Sequence, residues 1–252
     1  MKILSFKIVL AFVLGNLLFA YSIKAQSKEI AVDPFNKVTI SPHIRATFIK
    51  GDRESVSIED AAVSRDKIYV EVKGKTLRIY LEGAKEVTKS KEEYKNGYQR
   101  SHSIYNGTML TVTVTYRELD ELSLRGEETF VCKSPLVGDS FDLKIYGESQ
   151  VFLEAVDLQR LTATIYGESY LEIRSGNITD QKYTAYGETN VNTLAVGNST
   201  TKLTAFGEGS FRVKVSDRLK VTAFGEATVA YEGDPEVDKG LVIGEATIQK
   251  LN

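Results

Sequence analysis

Apolar and polar positions alternate with a period of two along most of this chain. Over residues 161–173, Leu161, Ala163, Ile165, Leu171 and Ile173 share one face, while Thr162, Thr164, Tyr166, Glu168, Tyr170 and Glu172 share the other. That period marks a strand with one buried side. The strand pattern itself recurs. Gly-Glu stands at 126–127, 147–148, 167–168, 187–188, 207–208, 225–226 and 244–245, in steps of 21, 20, 20, 20, 18 and 19 residues. The flanks repeat too, as in Thr164-Ile-Tyr-Gly-Glu-Ser169 and Thr184-Ala-Tyr-Gly-Glu-Thr189. The terminal copies depart from the pattern, with Arg125 and Ile243 where the others carry an aromatic ring. Atypical end repeats are expected of a stack that must cap itself.

A unit of about 20 residues is too short for a strand–helix crossover, but it suits a coil of two strands and turns. Stacked coils form parallel sheets about 4.8 Å apart. Right-handed winding is the default for parallel crossovers. The pattern therefore predicts an all-β right-handed parallel β-helix, a solenoid of ~20-residue coils over 119–252. A propeller or an antiparallel sandwich fits less well, since propeller blades need about twice this period. By parity, Gly167 and Ser169 point inward. The position after each Glu is small in Ser149, Ser169, Thr189, Gly209, Ala227 and Ala246, which predicts a tight bend. Turn-rich spacers such as Ser175-Gly-Asn177 and Gly233-Asp-Pro235 close the coils.

Residues 26–118 are β-rich but lack the repeat. Val38–Ile40, Ile44–Ile49, Val56–Ile58 and Thr111–Tyr116 read as strands, and Lys73-Gly-Lys75 joins two more as a hairpin. The polar stretch 83–107 reads as a long surface loop.

Residues 1–25 read as a signal peptide. Lys2 and Lys7 precede the apolar stretch Ile8–Ala20, and Ala25 offers a cleavage point. Its removal brings the net charge from −2 to near −5, which gives no reason to expect nucleic acid or anionic lipid as a partner. With no second long apolar run, no membrane span is expected after cleavage. The expected destination is the periplasm, the outer-membrane surface or the medium. Cys132 is the single cysteine, so no intramolecular disulfide forms.

Stacked in register, the repeats make columns. Glu148, Glu168, Glu188, Glu208 and Glu226, with Glu127 and Glu245 at the ends, form an outward acidic stripe. Neighbouring charges one strand apart repel by roughly 1 kcal/mol even in water. Splaying into solvent, turn hydrogen bonds, raised carboxyl pKa values or bound cations would offset this. Ca²⁺ bridging Glu168, Glu188 and Glu208 is one candidate, because hard cations prefer oxygen ligands. Beside the stripe run Tyr146, Tyr166, Tyr186, Phe206 and Phe224, with Arg125 placed to cap Tyr146. These rings are either a stabilising ladder or, with the carboxylates, a glycan-contacting surface. Lys182, Lys202, Lys220 and Lys239 form a third column.

The opening Asp33-Pro-Phe-Asn-Lys-Val-Thr-Ile40, the segment from Phe48-Ile-Lys-Gly-Asp52 to Val56-Ser-Ile58, and the later glycine-centred coils together resemble the head-GIN domain family of Bacteroidetes-type bacteria. That resemblance implies a β-helical fold, an exported location and an adhesin role. It supplies no catalytic residues. In the commoner family pattern small residues surround the glycine, whereas here Glu follows it every time.

No acid–base cluster breaks the repeat, and His43 and His102 lack metal-ligand spacing. The expectation is a non-catalytic exported binding protein that contacts a cell-surface glycan or protein. A structural envelope scaffold and a polysaccharide-degrading β-helix enzyme are the alternatives. Self-association through the C-terminal strand edge is a further expectation.

Overall fold

The computed structural model describes residues 28–95 and 98–251, so the expected leader lies outside the described residues. The chain folds as a β-solenoid of parallel stacked coils, as its period-two repeats require.

Each regular coil has three sides rather than the two expected. In one coil, residues 160–166 form the first side, Tyr170–Ile173 the second and 176–178 the third. The long strands Leu136–Gly147, Val156–Tyr166 and Gly176–Tyr186 each run over a third side and the next first side, with a break in pairing at Asp139, Gln159 and Thr179. Inward positions fill the interior: Leu161, Ala163, Ile165, Leu171, Ile173 and Ile178 are all buried.

The Gly-Glu-small triplet makes the corner between first and second sides. Gly167 has φ +107°, and a Cβ there would overlap the Gly147 carbonyl below it. Only glycine tolerates both that dihedral and that approach. The buried hydroxyls of Ser149 and Ser169 donate to the carbonyls of Gly126 and Gly147 at 2.8 Å, tying each corner to its neighbour.

The N-terminal region continues the same sheet. Lys37–Ile40 pairs in parallel with Glu121–Gly126, and Ile44–Lys50 with Thr129–Cys132. Thr76–Leu81 and Leu110–Tyr116 then stack on the far side of that coil, so the first coils lie out of chain order. Antiparallel strands close this end: Ile68–Lys73 on Thr76–Leu81, and Ser55–Ala61 on Leu110–Tyr116.

The outermost coil interrupts its corner with residues 82–109. That segment is not the irregular loop its polarity predicted, since Ser90–Lys95 and Tyr98–Ser103 pair as an antiparallel hairpin. The stretch is polar because a hairpin clear of the core has two wet faces, so it shows no apolar alternation.

The opposite end is the strand Glu236–Lys250, paired on one side only, with Thr189–Glu232. A register shift between Val221 and Ala223 displaces the end of the lysine column. Lys182 pairs with Lys202, but Lys220 pairs with Asp238 and is ion-paired to it at 3.1 Å. Lys239 falls instead beside buried Val221, in an inward column, and its ammonium donates to the Ala246 carbonyl at 3.4 Å. A bulge and an inward-facing charge are both devices that blunt an edge strand against pairing. They weigh against the expected self-association there.

Candidate functional site

The two sequence columns are continuous in space. Tyr146, Tyr166, Tyr186, Phe206 and Phe224 stack face to face with centroids 4.6–5.2 Å apart and planes within 4° of parallel. Arg125 lies over Tyr146 at 4.9 Å, the expected cation–π cap. Ile243 stands in register beyond Phe224. Each ring face is therefore covered by its neighbour, and the outward surface is a ribbon of ring edges and tyrosine hydroxyls. Tyr166 is the most open, at 39% exposure. A sugar ring stacks on aromatic faces, so the ladder is not a stacking platform.

Glu148, Glu168, Glu188, Glu208 and Glu226 are all exposed beside this ribbon. Among the described residues none of these carboxylates takes a hydrogen bond or an ion pair, so they splay into solvent. Among the described residues no three His, Cys, Asp or Glu side chains converge as a metal-ligand group. The candidates Glu168, Glu188 and Glu208 thus sit in a line, not around a common point.

What the sequence did not reveal is how the columns begin. Register places Ser41 and His43 where later coils carry the aromatic ring and the Glu. On the other side of Ser41 lies Tyr80, stacked on Tyr69 at 4.8 Å. The aromatic column is thus interrupted at Ser41, and the inserted segment fills the gap. The Ser41 hydroxyl donates to the Lys85 carbonyl, and the Lys85 ammonium sits 4.4 Å above the Tyr80 ring. Glu86 is ion-paired to Arg125 at 3.4 Å. A positive charge closes the ring stack on each side of the gap.

His43 anchors the same segment. It is the non-glycine residue with positive φ, at +70°, among the described residues. Its Nδ1 lies 2.8 Å from the Gly107 carbonyl and its Nε2 2.7 Å from the Thr88 hydroxyl. A carbonyl only accepts, so the neutral ring carries its proton on Nδ1 and accepts from Thr88 through Nε2. Both nitrogens are occupied, which leaves no free general base. Beside it, Glu128 takes the small inward position and is only 5% exposed. Its Oε2 accepts the Glu127 backbone N–H at 3.0 Å. Burial pushes its carboxyl above the ordinary range, and the Glu127 N–H and His43 partly offset this. Between the inserted segment and the first two Gly-Glu corners lies a cavity of about 540 Å³. It is lined by His43, Glu86, Val87, Arg125, Tyr146 and Glu148, among others.

Cys132 is buried near Tyr116, and burial raises its thiol to about 11, so it is an inert core residue rather than a nucleophile. No helix among the described residues is long and apolar enough to cross a membrane.

This architecture defines the class: a β-solenoid whose repeats present continuous outward columns, with one end elaborated by an insertion. The family model described as "Putative auto-transporter adhesin, head GIN domain" matches residues 34–235, and the chain belongs to that family. A solved structure of a putative adhesin from Bacteroides fragilis is similar over 89% of this chain and 96% of its own, with a TM-score of 0.75 at 17% identity. A putative lipid binding protein from Parabacteroides distasonis is similar over 90% and 96%, with a TM-score of 0.65 at 17% identity. A putative adhesin from Parabacteroides merdae covers 92% and 98%, with a TM-score of 0.59 at 18% identity. At these identities the likeness shows a shared fold. No curated protein matches the chain.

Proposed function

We propose that this protein is an exported, non-catalytic binding module of the adhesin kind, with the outward ribbon along its first corner as contact surface. The observation that carries this reading is the ladder Tyr146–Tyr166–Tyr186–Phe206–Phe224, held parallel and edge-outward beside a row of unpaired carboxylates. Such a surface is rigid before it meets a partner, so little side-chain entropy is lost on contact. Tyrosine edges and hydroxyls also supply apolar area and hydrogen bonds together. Because ring faces are covered, the ribbon suits a broad contact with a cell-surface glycan or protein rather than insertion of one sugar ring. Family membership supports the adhesin class and the exported location.

Cell-surface or glycan-array binding by the mature chain tests this. Binding lost in both Tyr166→Ala and Tyr186→Ala, with the fold intact by circular dichroism, supports the ribbon. Normal binding in both variants sinks it. Turnover of uronic-acid polymers would favour the enzyme class instead.

A further inference from the structure

The cavity at the head of the columns gathers residues distant in sequence: His43 from the second stacked coil, Glu86 to Thr88 from the insertion, and Arg125, Glu127 and Glu148 from the first two Gly-Glu corners. Its volume of about 540 Å³ falls within the ~300–1,000 Å³ range of small-molecule sites. It is built, not incidental. The insertion is fixed to the coils at Ser41, His43 and Arg125, and a non-glycine residue is held at positive φ to do so. Strain of that kind persists only where the surroundings enforce it. A nine-tenths-buried carboxylate, Glu128, lies in the wall, where the other coils carry Ser, Thr, Gly or Ala.

The lining chemistry limits what fits. Glu86, Glu127 and Glu148 approach from three separate segments, so acceptors surround the space. The donors are mostly engaged: Arg125 with Glu86 and the Tyr146 ring, His43 with Gly107, and Ser103 with the Tyr105 carbonyl. Four carboxylates against one guanidinium repel an anionic ligand, whether uronate, phosphate or fatty acid. Val87, Pro42 and the edge of Tyr146 add apolar lining, which suits an organic body rather than a bare ion.

We propose that this cavity binds an amino sugar: a pyranose unit with a free ammonium group. The ammonium lies between Glu127 and Glu148, and ring hydroxyls donate to Glu86. Carboxylates on three sides call for donors around the ligand's periphery. A sugar ring supplies these, while a lysine side chain carries them only at its tip. The proposal rests on the binding-module reading, but it places small-ligand recognition in the cavity rather than on the ladder.

Calorimetric titration of the full mature chain with oligomers of glucosamine tests it. N-acetylglucosamine oligomers, galacturonate oligomers and a lysine homopolymer are the comparison probes. Saturable binding of glucosamine oligomers is expected, weakened at least tenfold in Glu127→Gln and Glu148→Gln. Tyr186→Ala, well down the ladder, should leave it unchanged. No saturable binding, equal binding of the acetylated or uronate forms, or unchanged affinity in both Gln variants overturns the proposal. Lysine homopolymer binding as tightly as the amino sugar also overturns it, by reducing the effect to bulk charge. Cell binding lost in Tyr166→Ala without glucosamine binding by the parent would end this proposal and leave the module reading standing.

Discussion

The regular coils and the head of the solenoid turn the same corner with different residues. In the regular coils the corner is Gly, Glu and a small residue, and its hydroxyl or backbone touches only the coil below. In the head the equivalent positions are Pro42, His43 and Ile44, the next corner carries Arg125 and Glu128, and the outermost corner opens into the insertion. Repetition gives the regular coils closely packed interfaces that are alike and therefore additive. The departures lie at 41–43, 84–88, 103–107 and 125–128 in sequence, yet all border one cavity. In a solenoid, stability resides in what repeats and individuality in what does not.

The sharpest way to break this comparison is at the corner glycine. Gly167→Ala forces a side chain into positive φ and into the Gly147 carbonyl. We expect a loss of about 2–5 kcal/mol, combining backbone strain with overpacking. Gly138→Ala, where a Cβ meets nothing within 4 Å, should stay within about 0.5 kcal/mol of the parent. Urea unfolding measures both. Equal effects would mean that the corners do not hold the stack.

The regular half was legible because its signals are local and repeated. Period two assigned the buried face, the seven corners set the register, and Arg125 was recognisable as a cap because it stands in an aromatic column. The third side of each coil was missed, since a three-residue strand such as 176–178 is too short to show alternation. The head was illegible for a different reason. Ser41 and Tyr80 become neighbours only because the first coils stack out of chain order, and the insertion meets them through single side chains. Glu128 was visible beside Glu127, but nothing local says that it faces inward under His43. The lysine column failed at Lys239, where a bulge shifts the inward–outward parity by one.

The ladder gives the next largest effect. Tyr166 stacks on both neighbours, at 5.2 Å and 4.6 Å. Each aromatic pair contributes about 0.5–1.5 kcal/mol beyond area burial, so Tyr166→Ala should cost about 1–3 kcal/mol. Arg125→Ala removes one cation–π contact at the ladder's end and should cost about 0.5–1 kcal/mol. Thermal unfolding ranks the two. The reverse order would show that Arg125 chiefly holds the insertion rather than capping the rings.

The two ends of the solenoid invite a similar test. Antiparallel strands cover one end, while Lys239 and its bulge guard the other. Lys239→Val removes the inward charge and completes the apolar column of Val221. Stability of the monomer should change by less than about 1 kcal/mol, but the variant should associate at concentrations where the parent does not. Light scattering over a concentration series reads this, and a variant no more associated than the parent would assign the protection to the bulge alone.

Glu128 gives the smallest effect and the one with a pH signature. Burial raises its native proton affinity above the ordinary value of 4.5. A carboxyl shifted in that direction contributes most to stability below its unfolded pKa, and the contribution is lost as pH rises through the native one. Above that window the fold carries a buried charge, only partly compensated by the Glu127 N–H and by His43. Glu128→Gln keeps an acceptor for that N–H and removes the charge. The variant should therefore melt above the parent at about pH 7, and the gap should close as pH falls below about 4.5. A gap of opposite sign at neutral pH would mean that the ionised carboxylate, through its contacts in the cavity wall, stabilises the head more than its desolvation costs. In that case Glu128 would belong with the corners that hold the stack rather than with the departures that individualise it.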